Sequence, residues 1–422
     1  MDNTRRRFLR RSSAVAATLG TAGLAGCTGV LGGGGGGKIK LGAINPLSGA
    51  AAFYGELATE TQTAWKNRIN EDGGIDVDGT QREVSLVEYD DESNNSAARS
   101  AAKRLATVDN VAMILSSWRS TGAIAIAPIA NDNEIPTFTH GFTPEVNEPG
   151  SYMMRMTVST VMDAYPALRQ VQQSDDIQNI GVIAETGDWG DDTLALMDWW
   201  FDQPDNDGGY TELGRFSFSQ QDFSSYITKA KRAYNNDNID AVYVQTWASA
   251  MQRFIQQQAR EGLNEQMPIL TGLGGADYNS IDEVGAAMDN VYALGVYTRL
   301  AYADNPAIAE TLSEDALSQF EEYKGLDAPM HPTAFNVYAD AQAARQGIAE
   351  AGSTEGSEIR DALVGTEITT LLGKTTINDR GQPAIPGSLI KFGADGDSAV
   401  VEDVAWSGQL PPITSIPPNV DL

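Results

Sequence analysis

Apolar residues recur along this chain in two alternating rhythms. Short runs at Lys40–Ile44, Arg82–Tyr89, Val111–Leu115 and Ile135–Phe138 read as strands, and between them apolar positions fall at helical spacing over about Phe53–Asn70, Ala97–Val108 and Thr121–Asn131. In the first of these helices Leu57, Thr61, Ala64, Trp65 and Ile69 share one face, and Gly73-Gly74 closes it as a C-terminal glycine cap. The same rhythm resumes after residue 177, with strand Asn179–Ala184, helix Trp189–Phe201, strand Ala241–Val244, helix Met251–Glu261 and strand Pro268–Thr271. Strand–helix alternation builds parallel sheets with helices on both faces, an α/β architecture. Two blocks of similar length predict two similar lobes facing one another. The roughly 385 residues beyond position 37 also exceed what one core usually serves. In such sheets ligands bind beyond the carboxyl ends of the strands, so those loops are where chemistry is expected.

The N-terminus follows neither rhythm. Arg5-Arg6-Arg7-Phe8-Leu9 reads as a twin-arginine export signal, and Ala14–Ala25 supplies an apolar segment too short to span a bilayer. Leu24-Ala25-Gly26-Cys27 then resembles a lipobox, whose cysteine becomes the new N-terminus and carries a lipid. Six glycines, Gly32–Gly37, precede the first strand, so residues 28–37 form a flexible tether of roughly 15–20 Å. An exported protein held on the outer face of the cytoplasmic membrane by its lipid is expected. No later run reaches the length of a membrane helix.

Charge narrows the picture further. The signal removes five arginines and one aspartate, so the processed chain holds 24 basic and 56 acidic residues, a net of −32. A nucleic-acid partner needs the opposite sign and is excluded. The acids are dispersed among periodic apolar segments and lysine is scarce, which fits a surface that stays hydrated in concentrated salt. That composition points to a halophile, and with the twin-arginine route to an archaeon. Cys27 is the only cysteine, so no internal disulfide can form.

Catalytic signatures are sparse. His140 and His331 have no ligand or triad partner at a recognisable spacing, His140 reading as a polar loop residue and His331, before Pro332, as a helix-entry residue. Neither a nucleophile elbow nor a phosphate-binding P-loop occurs, and Gly272-Leu273-Gly274-Gly275 lacks the third glycine of a dinucleotide fingerprint. No metal, cofactor or catalytic residue is expected. A binding signal is present where strand Val111–Leu115 hands over to a helix through Ser116-Ser117-Trp118-Arg119-Ser120-Thr121-Gly122. Hydroxyls and free N–H groups at a helix N-terminus suit a carboxylate.

Asn45-Pro46-Leu47-Ser48-Gly49, Tyr54-Gly55, Ile69-Asn70 with Gly73-Gly74-Ile75, Tyr89-Asp90-Asp91, the Ser120 loop, and Ile135-Pro136 leading to Thr143 occur in an order that resembles the leucine-type periplasmic solute-binding proteins of ABC transporters, the branched-chain amino acid family. The likeness runs from about residue 38 to 405. It implies the type I periplasmic binding protein fold: two Rossmann-like lobes joined by three hinge crossovers, near Arg155–Thr157, Gly295–Thr298 and Gly373–Thr376. Lobe 1 would comprise residues 38–156 and 298–373, and lobe 2 residues 157–297 and 374–422. By position, Ser120 and Thr143 would hold a carboxylate with backbone help from Gly141. Asp163 would meet an ammonium from the opposite lobe, and Tyr54, Trp189 and Trp247 would wall the pocket. Gly274 stands where the family's amino acid binders often carry an acid, with Asp277 the nearest one. This departure keeps urea, short amides and aromatic acids open as solutes.

The resemblance thus implies a monomeric receptor, not an enzyme, that captures a small polar solute by closing its lobes and delivers it to a permease with its ATPase. A ligand-sensing module that signals through a partner is the other role open to this fold. The surface charge makes its own prediction. Lowering salt from molar to about 0.1 M lengthens the Debye length from roughly 3 to 10 Å, so acidic repulsion reaches further. Melting temperature should fall steeply across that range, and a flat profile would remove the halophilic reading.

Overall fold

The computed structural model describes residues 37–412 apart from 116–118 and 277; the export signal, Cys27, Ser116–Trp118 and Asp277 lie outside the described residues. The first half lays down β1 (Ile39–Asn45), α1 (Ala52–Glu71), a small hairpin of β2 (Ile75–Val77) and β3 (Thr80–Arg82), then β4 (Val84–Asp90) and α2 (Asn95–Arg104). It continues with β5 (Met113–Leu115), α3 (Ser120–Asp132), β6 (Thr137–Phe138) and β7 (Met153–Met154). These strands make a five-stranded sheet in the order β4-β1-β5-β6-β7, every neighbouring pair parallel. Consecutive strands flank β1 on both sides, so the order reverses there and opens a crevice at the strands' carboxyl ends.

A second sheet follows. Its elements are α4 (Thr160–Gln173), β8 (Asn179–Glu185), α5 (Asp188–Phe201), β9 (Gly209–Phe216), α6 (Ser224–Tyr234), β10 (Ala241–Gln245), α7 (Ala248–Arg260), β11 (Ile269–Thr271) and β12 (Val291–Gly295). The chain then forms α8 (Glu314–Lys324), α9 (Pro332–Ala351) and α10 (Gly356–Leu363), with α9 packed against α1 and β5 of the first sheet. After a hairpin of β13 (Glu367–Thr370) and β14 (Gly373–Thr376) it returns to the second sheet as β15 (Ile385–Asp395) and β16 (Ser398–Leu410). The second sheet therefore runs β16-β15-β12-β11-β10-β8-β9.

The strand–helix rhythm predicts parallel sheets throughout, and here the structure differs. β12, β15 and β16 pair antiparallel, so the second sheet is mixed. β15 and β16 are joined only by Gly396-Asp397, with Gly396 at φ +60°, and so tight a turn permits only antiparallel return. On α1 the buried face is Tyr54, Gly55, Ala58, Thr61, Gln62, Trp65 and Ile69, which leaves the expected Leu57 and Ala64 at its margin.

Two of the motif residues, Asn70 and Asp90, hold the first sheet together. Asn70 at the end of α1 donates to Val84 O (2.9 Å) and accepts from Val84 N (2.7 Å), which fixes α1 against β4. Asp90 at the end of β4 accepts from Leu47 N, Ser48 N and the Ser48 hydroxyl, and its own loop adds Glu92 N. Those bonds hold its carboxyl below the ordinary aspartate range despite some burial.

The chain passes between the sheets three times, and the passages are bonded to each other. Arg155 N donates to Gly381 O (3.0 Å), Gln382 Nε2 donates to Thr157 O (2.9 Å), and the Tyr297 hydroxyl donates to Met156 O (2.5 Å). None of these segments is itself a strand of either sheet: β7 stops at Met154, β12 stops at Gly295, and Thr298 opens a helical turn.

Candidate functional site

The carboxyl ends of the two sheets meet through three loops. The loop after β6 carries His140, Gly141, Phe142 and Thr143. The junction of β8 and α5 carries Glu185 and Trp189, and the end of β10 leads into Trp247. Phe142 reaches across and places its ring edge-on against both Trp189 (centroids 5.3 Å) and Trp247 (5.9 Å). Beside it, Thr143 lies near Asp192, which follows Trp189 by one helical turn.

Ser120, the first residue of α3, positions that loop. Its hydroxyl oxygen accepts from Phe142 N (3.1 Å) and Thr143 N (3.3 Å). The Ser120 hydroxyl proton is left to donate. Gly141 lies so close to α3 that a Cβ would sit 2.9 Å from Ser120 Cα and 3.0 Å from the Ala123 side chain. Thr143 caps the short turn Pro144–Val146 by accepting from Glu145 N, and its carbonyl accepts from Arg155 (2.8 Å).

Of the residues expected to line a pocket, the structure brings Ser120, Gly141, Thr143, Trp189 and Trp247 together. Tyr54 is buried in the first turn of α1, with Phe53 at 5.3 Å and His331 at 6.4 Å. His331 does enter a helix as the sequence implied, capping α9 by accepting from Thr333 N.

Asp163 differs from expectation. Its carboxylate is buried at 2% exposure in the first turn of α4 and accepts from Leu273 N (2.7 Å) within the second sheet's own layer. It covers Gly272 so tightly that a Cβ there would lie 2.1 Å from Asp163 Oδ2. Burial pushes the carboxyl up to about 7, and Leu273 N–H offsets only part of that. Gly274 also has a steric cause. A Cβ at that position would stand 2.0 Å from Thr246 O, a backbone atom, so this backbone leaves no room there for the acid that the resemblance led one to expect.

Sequence reasoning missed Phe142, Glu185, Asp192 and Asp340. Phe142 sits between two residues that were singled out, and Asp192 follows Trp189 by three. Those spacings are the signals that could have found them. His140, read as a polar loop residue, is instead fully buried with Nε2 2.6 Å from Asp340 Oδ2 on α9. Asp340 Oδ1 accepts from Met156 N (3.1 Å) at the first crossover. Burial raises the Asp340 carboxyl, and His140, Met156 N and Arg155 pull it back down.

Two open α/β layers whose loops meet in an aromatic and polar contact, joined by three bonded crossovers, define a two-lobed binding-protein architecture. The chain belongs to the periplasmic binding protein family, whose model matches residues 38–397. Membership places it outside the cytoplasm, and among the described residues no helix is long and apolar enough to cross a membrane. A Leu/Ile/Val-binding protein, BraC3, from Rhizobium johnstonii is 24% identical over 349 residues, covering 81% of this chain and 88% of that protein. An ABC transporter substrate-binding protein from Sphaerobacter thermophilus is similar in fold, with TM-score 0.74 and 20% identity over 90% of this chain and 100% of its own. A solute-binding protein from Rhodopseudomonas palustris in complex with p-hydroxybenzoic acid gives TM-score 0.72 and 17% identity over 89% and 98% of the two chains.

Asp163 yields a pH prediction. Its folded value of about 7 stands above the ordinary 3.8, so the folded state favours the protonated form. The stability this gives is present below about pH 4 and is lost as pH rises through 7. Asp163→Asn, which keeps an acceptor for Leu273 N–H, should match the parent near pH 4 and exceed it above pH 7, by on the order of 3 kcal/mol. Denaturant titration at the two pH values checks this; a pH-independent difference contradicts it.

Proposed function

We propose that this protein is a lipid-anchored receptor of an ABC transporter, which captures an amino acid or similar small polar solute between its lobes and hands it to a membrane permease. The observation that carries the reading is the Phe142 bridge: one residue from the first lobe seated against Trp189 and Trp247 of the second, beside the Ser120 hydroxyl and the head of α3. Aromatic walls with a few fixed polar groups are what a small-solute pocket needs. Residues 38–156 with 298–373 would form one lobe, and residues 157–297 with 374–422 the other. Bending at the three crossovers opens and closes them. The names of relatives support the class of solute: one is described as a Leu/Ile/Val-binding protein, and a structural neighbour was solved with p-hydroxybenzoic acid. Cys27 would carry the lipid and residues 28–37 the tether, in line with an exported, monomeric, acid-rich protein of a halophile.

In this reading Ser120 acts twice, donating its proton to a solute carboxylate and holding Phe142 and Thr143 by its oxygen. A thermal-shift panel of amino acids, short amides and aromatic acids in molar salt should raise the melting temperature for one class, with a smaller radius of gyration on binding. Ser120→Ala should weaken the responding compounds by about tenfold or more. A panel without a single response, or full affinity in Ser120→Ala, would contradict the proposal.

A further inference from the structure

Asn94-Asn95-Ser96 is the one Asn-x-Ser/Thr triplet in the chain. That pattern is the acceptor for N-linked sugar on exported proteins. All three residues are exposed, in the turn that takes the chain from β4 into α2. The turn is held from below. Ser93 Oγ donates to Ser48 O (2.8 Å), Ser93 N donates to Oδ1 of the buried Asp91 (2.7 Å), and Asn94 N donates to Asp91 O (2.7 Å). Asn94 is extended, with φ −133° and ψ 132°, and caps α2 by accepting through Oδ1 from Ser96 N (2.8 Å) and Ala97 N (3.2 Å). Its Nδ2 and the Ser96 hydroxyl bond to no group among the described residues.

Capping alone does not call for this pair. A cap uses only an acceptor oxygen, so aspartate or serine serves as well as asparagine, and the exposed Ser96 has no packing task. Resting on the export half of the receptor reading and on no particular solute, we infer that Asn94 Nδ2 carries an N-linked glycan at the outer edge of the first lobe. A passenger of the twin-arginine route crosses the membrane already folded, so its acceptor must be reachable on the folded surface, as this one is. Outside the membrane, Nδ2 attacks the anomeric carbon of a lipid-phosphate-linked sugar. The C–N bond forms, the sugar–phosphate C–O bond breaks, the phosphate leaves with the electron pair, and Nδ2 gives up one proton. Oδ1 is untouched, so α2 stays capped. β4 is the edge strand, and the loop carrying Phe142 follows β6, three strands along. At ordinary strand spacing that is about 14 Å, so the sugar attaches beside the solute site rather than over it.

The test expresses the full chain, extended by a C-terminal Asn-Asn-Ser tail, in a halophilic archaeal host that N-glycosylates an exported control protein bearing the same tail. Trypsin releases the peptide Glu83–Arg99, whose mass and fragments locate any sugar. The parent peptide should carry sugar on Asn94. Ser96→Thr should keep it, because the hydroxyl remains, and Ser96→Ala should lose it. Asn94→Asp should also lose it while keeping an oxygen to cap α2, and serves as the second variant if Ser96→Ala folds poorly. A glycosylated tail with a bare Asn94 in both the parent and Ser96→Thr overturns the inference and leaves export standing. Sugar found on Ser93, or sugar that persists on Asn94 in Ser96→Ala, overturns it as well. A bare tail on this chain, beside a glycosylated control, removes both the export reading and the inference.

Discussion

Asp340 is a carboxylate in the middle of α9, 1% exposed, and the geometry around the site depends on where its two oxygens go. Oδ2 meets His140 Nε2 at the start of the loop that carries Gly141, Phe142 and Thr143, and Oδ1 accepts from Met156 N at the first crossover. Met156 in turn accepts the Tyr297 hydroxyl from the second crossover through its carbonyl. One side chain therefore links the site loop to two of the three passages between sheets. Leaving a buried polar group without its hydrogen-bond partner typically costs about 1–3 kcal/mol, so the ties at Asp340 resist being broken one at a time. Arg155, fully buried nearby and pushed down to about 9 by desolvation, adds a second buried charge bonded to Thr143 O.

This arrangement divides the molecule into stiff and compliant parts. The sheets are stiff because their strands are paired along the parallel core and capped by helices. The crossovers are tied to one another by single hydrogen bonds, Arg155 to Gly381 and Gln382 to Thr157. Motion between the sheets is then expected to bend those few residues. At the far end of the same lever the lobes touch through Phe142, seated against Trp189 and Trp247. A solute can shift such an equilibrium only by the difference in its affinity for the two states, which requires contacts from both sides. Ser120 on one side and Trp189 with Trp247 on the other supply that pair in the proposed function.

Much of the fold was legible because it is local. Helical spacing and short apolar runs located most of the first sheet and the β8, β10 and β11 core. Their ends shifted by a residue or two where caps such as Asn94 decide them. The antiparallel β15–β16 hairpin was not legible: Glu402, Asp403 and Lys391 interrupt its alternation, and an edge strand can afford charges that a central strand cannot. Of α9 only the entry at His331 was legible and not its length, since the helix is buried nearly all round and shows no amphipathic face. For the site, Ser120 and the loop at Gly141–Thr143 were singled out through the family resemblance, and the structure bonds them to one another. Long-range partners were not. Nothing near His140 in the sequence points to Asp340, 200 residues away. A lone acid after a crossover gives no sign of whether it faces a gap or a backbone N–H, and Asp163 meets Leu273 N.

The most direct test of the Asp340 tie is amide hydrogen exchange in Asp340→Ala against the parent. Met156 N bonds Asp340 itself and must lose protection in any case. Phe142 N and Thr143 N bond only to Ser120, so they report whether the site loop depends on the distant carboxylate. The account predicts that these two amides lose protection together with Met156, while Asn290 N, bonded to Phe392 O in the second sheet, keeps its own. Loss confined to Met156, with Phe142 and Thr143 as protected as in the parent, would contradict it.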